Sequence, residues 1–89
     1  MSALLGYYQR RPETVHAVLH EGVHDETLAR LRQLDAHFET QPHANGVLEV
    51  VDRGSSSVVR PGQWIVWGGI DPLVRAHSAE DFSRDYVPA

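Results

Sequence analysis

The chain has 89 residues with 8 basic and 12 acidic side chains, a net charge of −4, and 42% hydrophobic content. That is enough for one domain spanning 1–89 with one modest core, and too apolar and too weakly charged for a disordered chain. It contains no cysteine, which excludes disulfides, thiolate metal sites and thiol nucleophiles.

Arg11–Pro12–Glu13 leads into Thr14–Val15–His16–Ala17–Val18–Leu19–His20. Val15, Ala17 and Leu19 alternate with their neighbours, a period of two that predicts a strand, with Pro12 at its head. Glu21–Gly22 ends it. Asp25 is then placed to cap a helix, since its carboxylate can accept from a free N–H of the first turn. Leu28, Leu31, Leu34 and Phe38 fall on one face, so the helix is predicted from about Glu26 to about Glu39, before Pro42 and Asn45–Gly46.

The second half reads as short strands. Val47–Val51 is followed by a turn at Asp52–Ser55, then Ser56–Arg60. Pro61–Gly62 is a type II turn signal, with proline preset at the first central position and glycine free at the second. Trp64–Trp67 is the most apolar strand. Gly68–Pro72 forms a loop, Leu73–His77 a last strand, and Ser78 caps a helical turn carrying Phe82 and Tyr86 on one face. The implied order is β-α-β-β-β-β with a short C-terminal helical turn. This is an α+β domain in which one amphipathic helix packs on a mostly antiparallel four- to five-stranded sheet in two layers.

No apolar run approaches the roughly 20 residues of a membrane span, and Met1–Arg11 does not read as a signal peptide. The expectation is a cytoplasmic protein. All eight basic residues are arginine and are scattered. With no dense basic stripe to neutralise phosphates, nucleic-acid binding is disfavoured.

Six histidines invite a metal reading. His16, His20 and His24 are spaced by four, which would stack them on a helix. On the predicted strand His16 and His20 stand about 13 Å apart and cannot share an ion. Solvent-facing histidines are the plainer account, with a role in tuning behaviour between about pH 5 and 7. Ser55–Ser57 lie in a hairpin rather than in a strand-to-helix elbow, and no phosphate-binding glycine loop occurs. No metal, cofactor or catalytic residue is therefore expected, and no enzyme.

On the Trp64–Trp67 strand the two tryptophans face opposite sides. Trp64 is assigned to the core beneath the helix. Trp67 becomes the candidate exposed anchor, with Arg75 across the hairpin and His77 and Asp71 nearby, because aromatics and arginine are enriched in interface hot spots. The competing reading has Trp67 covered by Phe82 or Tyr86.

The block Arg60–Pro61–Gly62–Gln63–Trp64–Ile65–Val66–Trp67–Gly68, and the end Glu80–Asp81–Phe82–Ser83–Arg84–Asp85–Tyr86, resemble a family of small bacteriophage and prophage proteins. That family carries a Pro-Gly-Asp-Trp-Ile block and a C-terminal Phe-x-x-x-Tyr motif. Its members also open with a basic-Pro segment, matched by Arg10–Arg11–Pro12. Here Gln63 stands for the acid, Ala79 for a proline and His77 for a frequent cysteine, and the Gly69–Pro72 loop is about one residue longer. The resemblance implies a phage origin and brings no catalytic residues. The expected function is a non-enzymatic phage accessory protein that binds a host or phage protein and inhibits or modulates it, as in host takeover or anti-defence. An open edge strand could also pair two copies into a homodimer. The alternatives are a small-ligand, nucleotide or metal-binding module using a cleft near Gly68–Asp71 and the histidines, or a minor virion or morphogenesis component.

Overall fold

The computed structural model describes residues 4–10, 13–71 and 73–88. Pro12 and Pro72, given roles above, lie outside them. The elements in order are β1 (Leu5–Arg10), β2 (Glu13–His20), α1 (His24–Gln33), β3 (Glu39–Pro42), a 3-10 turn (Ala44–Gly46), β4 (Leu48–Asp52), β5 (Ser55–Val59), β6 (Gln63–Trp67), β7 (Arg75–His77), α2 (Ala79–Asp85) and β8 (Val87–Pro88). Every pairing is antiparallel, in a five-stranded sheet of order β7-β6-β2-β1-β8 and a three-stranded sheet of order β3-β4-β5. The chain is thus α+β with antiparallel pairing, as its pattern implies. Strands β1, β3 and β8 are additions to the predicted order, and β3 to β5 form a sheet of their own.

Helix α1 departs from expectation at both ends. Its N-cap is Val23, which makes no side-chain capping bond. Asp25 lies inside the first turn with its side chain 99% exposed, and His24 opens the helix. The helix closes at Gln33, well short of Glu39, because Asp35 takes a left-handed conformation (φ 57°). There the Asp35 N–H donates to Arg32 O and the Ala36 N–H to Leu31 O, each at 2.9 Å. This is a Schellman closure with an aspartate where glycine is usual, and the buried Ala36 packs on the buried Leu31 as that motif favours. Phe38 leaves the helix yet still rests on the same apolar surface. Asp35→Gly should stabilise the fold by about 0.5–1 kcal/mol in urea denaturation, because glycine adopts the left-handed region without a Cβ penalty.

The hairpin signals form as read. The Gln63 N–H donates to Arg60 O at 3.0 Å across Pro61–Gly62, with Gly62 at φ 88°. Arg53 (φ 53°) and Gly54 (φ 80°) join β4 to β5 with the mirror-image turn that matches strand twist.

Alternation along β2 and β6 gives the large sheet two apolar faces, and both are covered. On one, Val15, Ala17, Val66 and Tyr8 lie beneath Phe82 and Tyr86 at the end of the chain. The Ser78 side chain accepts from the Asp81 N–H and starts α2 at the right place for this contact. On the other, Val18 meets Leu31 and Ala36, while Ile65 meets Leu48, Val50 and Val59 of the small sheet. The tryptophan assignment is reversed accordingly. Trp64 stacks on Phe82 (centroids 4.2 Å apart), on the α2 side, whereas Trp67 lies on the α1 side with its ring edge-on to Phe38. The far face that the two-layer reading left open is roofed by α2.

Candidate functional site

The residues predicted to form one binding patch do not share a face. Arg75 pairs with Val66 and His77 with Trp64, which places both on the α2 side. Trp67 points the other way. Arg75 Nη1 donates to Asp71 O (2.7 Å) and Leu73 O (3.0 Å), and Asp71 Oδ1 accepts from the Leu73 N–H (3.1 Å). These two side chains tie down their own loop. His77 is half-buried, edge-on to Tyr86 at 5.6 Å.

Trp67 instead belongs to an aromatic strip on the α1 side. The register sets Tyr7, His16 and Trp67 side by side across β1, β2 and β6. The His16 ring lies nearly parallel to Trp67 (5.3 Å, 9°) and tilted against Tyr7 (4.8 Å, 51°). Phe38 closes the inner end. Burial falls along the strip: His16 and Trp67 are half-buried and Tyr7 is 59% exposed. His16 Nδ1 is buried without a hydrogen-bond partner, and a Cβ at Gly68 would sit 3.2 Å from it. Glycine at 68 therefore lets the chain cross close beneath the imidazole. The sequence does not reveal Tyr7 as a strip member because β1 lacks clean alternation, nor His16, because the β2–β6 register that stacks it on Trp67 joins strands far apart in the chain.

At the other end of β2, His20 is 1% exposed and bonds through both ring nitrogens. Nε2–H donates to Gly46 O, and Nδ1 is hydrogen-bonded to Thr27 Oγ1, each at 2.6 Å. The His20 carbonyl accepts from the Gly62 N–H at 2.7 Å. One buried side chain therefore joins the large sheet, α1 and the small sheet. A nucleophile, a base and a group orienting the base are formally present in Thr27, His20 and the Gly46 carbonyl. Thr27 is 0% exposed, so no substrate reaches its hydroxyl and the arrangement is a structural pin.

A cleft of about 160 Å³ opens beside this pin, lined by His20, His24, His43, Gly22, Gly46 and Pro42 among others. His24 Nε2 is hydrogen-bonded to Thr40 Oγ1 (3.1 Å), and His43 Nε2 to Glu49 Oε1 (3.0 Å). Hydrogen bonds from His43 and then Ser56 hold the Glu49 carboxyl below its ordinary range. Among the described residues no group of three or more His, Asp or Glu side chains is placed to hold a metal ion, and no helix is long and apolar enough to cross a membrane. Compared with protein families, with curated proteins and with solved structures, the chain finds no match.

Proposed function

We propose that this is a small phage accessory protein that binds a host protein and alters its activity, with the Tyr7–His16–Trp67 strip as the contact. The observation that carries the reading is the exposed Tyr7 ring continuing into a half-buried His16–Trp67 stack. Tyrosine and tryptophan offer large contact area at low rotamer cost, and they are enriched where binding energy concentrates. The phage setting and the host cytoplasm come from the likeness of the Arg60–Gly68 block and the Phe82–Tyr86 end to small phage proteins. A nucleotide module is less well supported. The histidine-lined cleft, about 160 Å³, is small beside the roughly 300–1,000 Å³ of ordinary ligand pockets. Strand pairing between two copies has only short edges to use: β7 has three residues, β8 has two, β3 has four and ends in Pro42, and β5, the longest, has five, with the Ser57 hydroxyl donating to Val74 O.

The test is affinity capture from bacterial lysate with the wild type and Tyr7→Ala, after confirming equal thermal midpoints. The wild type should retain a host protein in near-stoichiometric amount, and Tyr7→Ala should lose at least tenfold of it. Equal recovery of the same proteins by both forms would remove the strip from the interface.

A further inference from the structure

Helix α1 ends early, and the reversal at Asp35 that ends it leaves a hollow. Between the last turns of the helix and the segment Ala36–His37–Phe38 lies a cavity of about 140 Å³, lined by Leu28, Leu31, Arg32, Ala36, His37 and Phe38. Leu31 and Ala36 are buried and Leu28 and Phe38 half-buried, so these four give it an apolar lining. Arg32 and His37 are exposed and supply its polar rim. An apolar cavity of about 150 Å³ admits one benzene-sized group, whereas pockets for drug-sized ligands run from about 300 Å³ upward. The hollow therefore suits a single side chain of leucine or phenylalanine size.

The charge beside it is unsatisfied. Arg30 is engaged by Glu21 at 2.6 Å and lies 3.9 Å from Glu26, Arg53 lies 3.9 Å from Asp52, Arg75 donates to its own loop, and Arg84 meets Asp81 and Asp85. The Arg32 guanidinium, by contrast, has no acceptor among the described residues. The adjacent Asp35 carboxylate is hydrogen-bonded to His37 at 3.1 Å instead. On a chain of net charge −4, an unpaired guanidinium at the rim of an apolar hollow is a local exception. Phe38 links this place to the aromatic strip, since it lines the hollow and stands edge-on to Trp67 (5.2 Å, 84°).

Building on the reading of that strip as a protein contact, we infer that the hollow is a second contact point for the same partner. It takes one apolar side chain from a segment in which an acidic residue is adjacent, and the Arg32 guanidinium pairs with that carboxylate. Burial of the apolar group supplies most of the affinity. The carboxylate supplies the selection, because the planar guanidinium presents a fork of donors that matches it. Arg32 also stands in the last turn of α1, where a cation complements the helix dipole. That role calls for no ligand, so binding separates the two.

Three blocked dipeptides serve as probes, followed by amide chemical shifts of the full chain at neutral pH: acetyl-Leu-Glu-amide, acetyl-Leu-Gln-amide and acetyl-Ala-Glu-amide. At millimolar concentration the first should move the amides of Leu28, Arg32, Ala36 and Phe38 saturably and leave Val66, on the α2 side, unmoved. Exchanging its glutamate for glutamine should weaken binding at least threefold, and its leucine for alanine at least fivefold. Arg32→Gln changes an exposed side chain for another good helix former, so the fold is kept, and should bring the Leu-Glu probe down to the Leu-Gln level. Absence of saturable shifts at these amides, equal binding of either control probe, or undiminished binding to Arg32→Gln would each overturn the inference. The probes need no host protein, so the two readings fail separately. Capture that depends on Tyr7 without probe binding strikes the hollow and keeps the strip, and probe binding with capture indifferent to Tyr7→Ala does the reverse.

Discussion

Phe82→Ala is expected to cost about 4 kcal/mol in urea denaturation, the largest loss of any single truncation in this chain. Phe82 is 3% exposed and its ring meets three others: Trp64 at 4.2 Å, Tyr8 at 4.8 Å and Tyr86 at 5.0 Å. Helix α2 has only seven residues. A helix that short does not persist in water by propensity, so its place depends on this one buried side chain. Losing the ring removes the transfer energy, leaves a cavity between Trp64 and Tyr8, and uncovers the α2 face of the large sheet. Small domains hold roughly 5–15 kcal/mol in all, and one of this size sits low in that range, so the variant should be substantially unfolded at 37 °C. Phe82→Leu, which keeps most of the volume, should cost under about 2 kcal/mol. A cost below about 1.5 kcal/mol for the alanine variant would show that α2 is not what seals that face.

Gly46→Ala should cost about 3 kcal/mol, and the reason separates two effects that glycine substitutions often mix. Gly46 sits at φ 76°, and a Cβ there would meet Gly22 O and Pro61 Cγ at 3.0 Å and Gly22 Cα at 3.1 Å. Two of those atoms are backbone, so relief requires the β2–α1 connection to move. The carbonyl of Gly46 is also the acceptor for buried His20, so displacement weakens the pin. Gly54 provides the internal control, with φ 80° and nothing within 4 Å of the added carbon. Gly54→Ala carries the left-handed strain alone and should cost about 1 kcal/mol. Equal losses at the two positions would mean that the contact of Gly46 with Gly22 and Pro61 contributes nothing.

Much of this architecture is legible in the chain because local signals agree with tertiary ones. Alternation from Val15 to Leu19 marks β2, Pro61–Gly62 makes the turn it encodes, and Ser78 caps α2 with Phe82 and Tyr86 facing the core. What is illegible has specific causes. The leucine spacing runs on to Phe38 as though the helix continued, but the stop is made by Asp35, a residue with no strong tendency to end helices. Strand β3, Glu39–Pro42, has no apolar rhythm, and β8 is two residues long. Each exists because a neighbouring strand supplies its hydrogen bonds. The binding patch went astray for the same reason. Parity along β6 separates Trp64 from Trp67 correctly, but which side receives the long helix depends on β1, which has no readable rhythm, and on α2, whose Phe82 covers Trp64 rather than the Trp67 of the competing reading. Hence Trp67 is joined to Tyr7 and His16 rather than to Arg75, His77 or Asp71.

The strand order also sets how the molecule assembles in time. Strands β3, β4 and β5 are chain neighbours joined by tight reversals and can zip together unaided. The large sheet cannot, since its central pairing joins His16 to Trp67 and its margin joins Tyr8 to Pro88, nearly the whole chain apart. Closing such distant ends before any contact rewards it is slow, so maturation should take milliseconds to seconds where a helical bundle of this size needs only microseconds to milliseconds. The meander would come first, and the ribbon carrying Tyr7 would be among the last parts to dock.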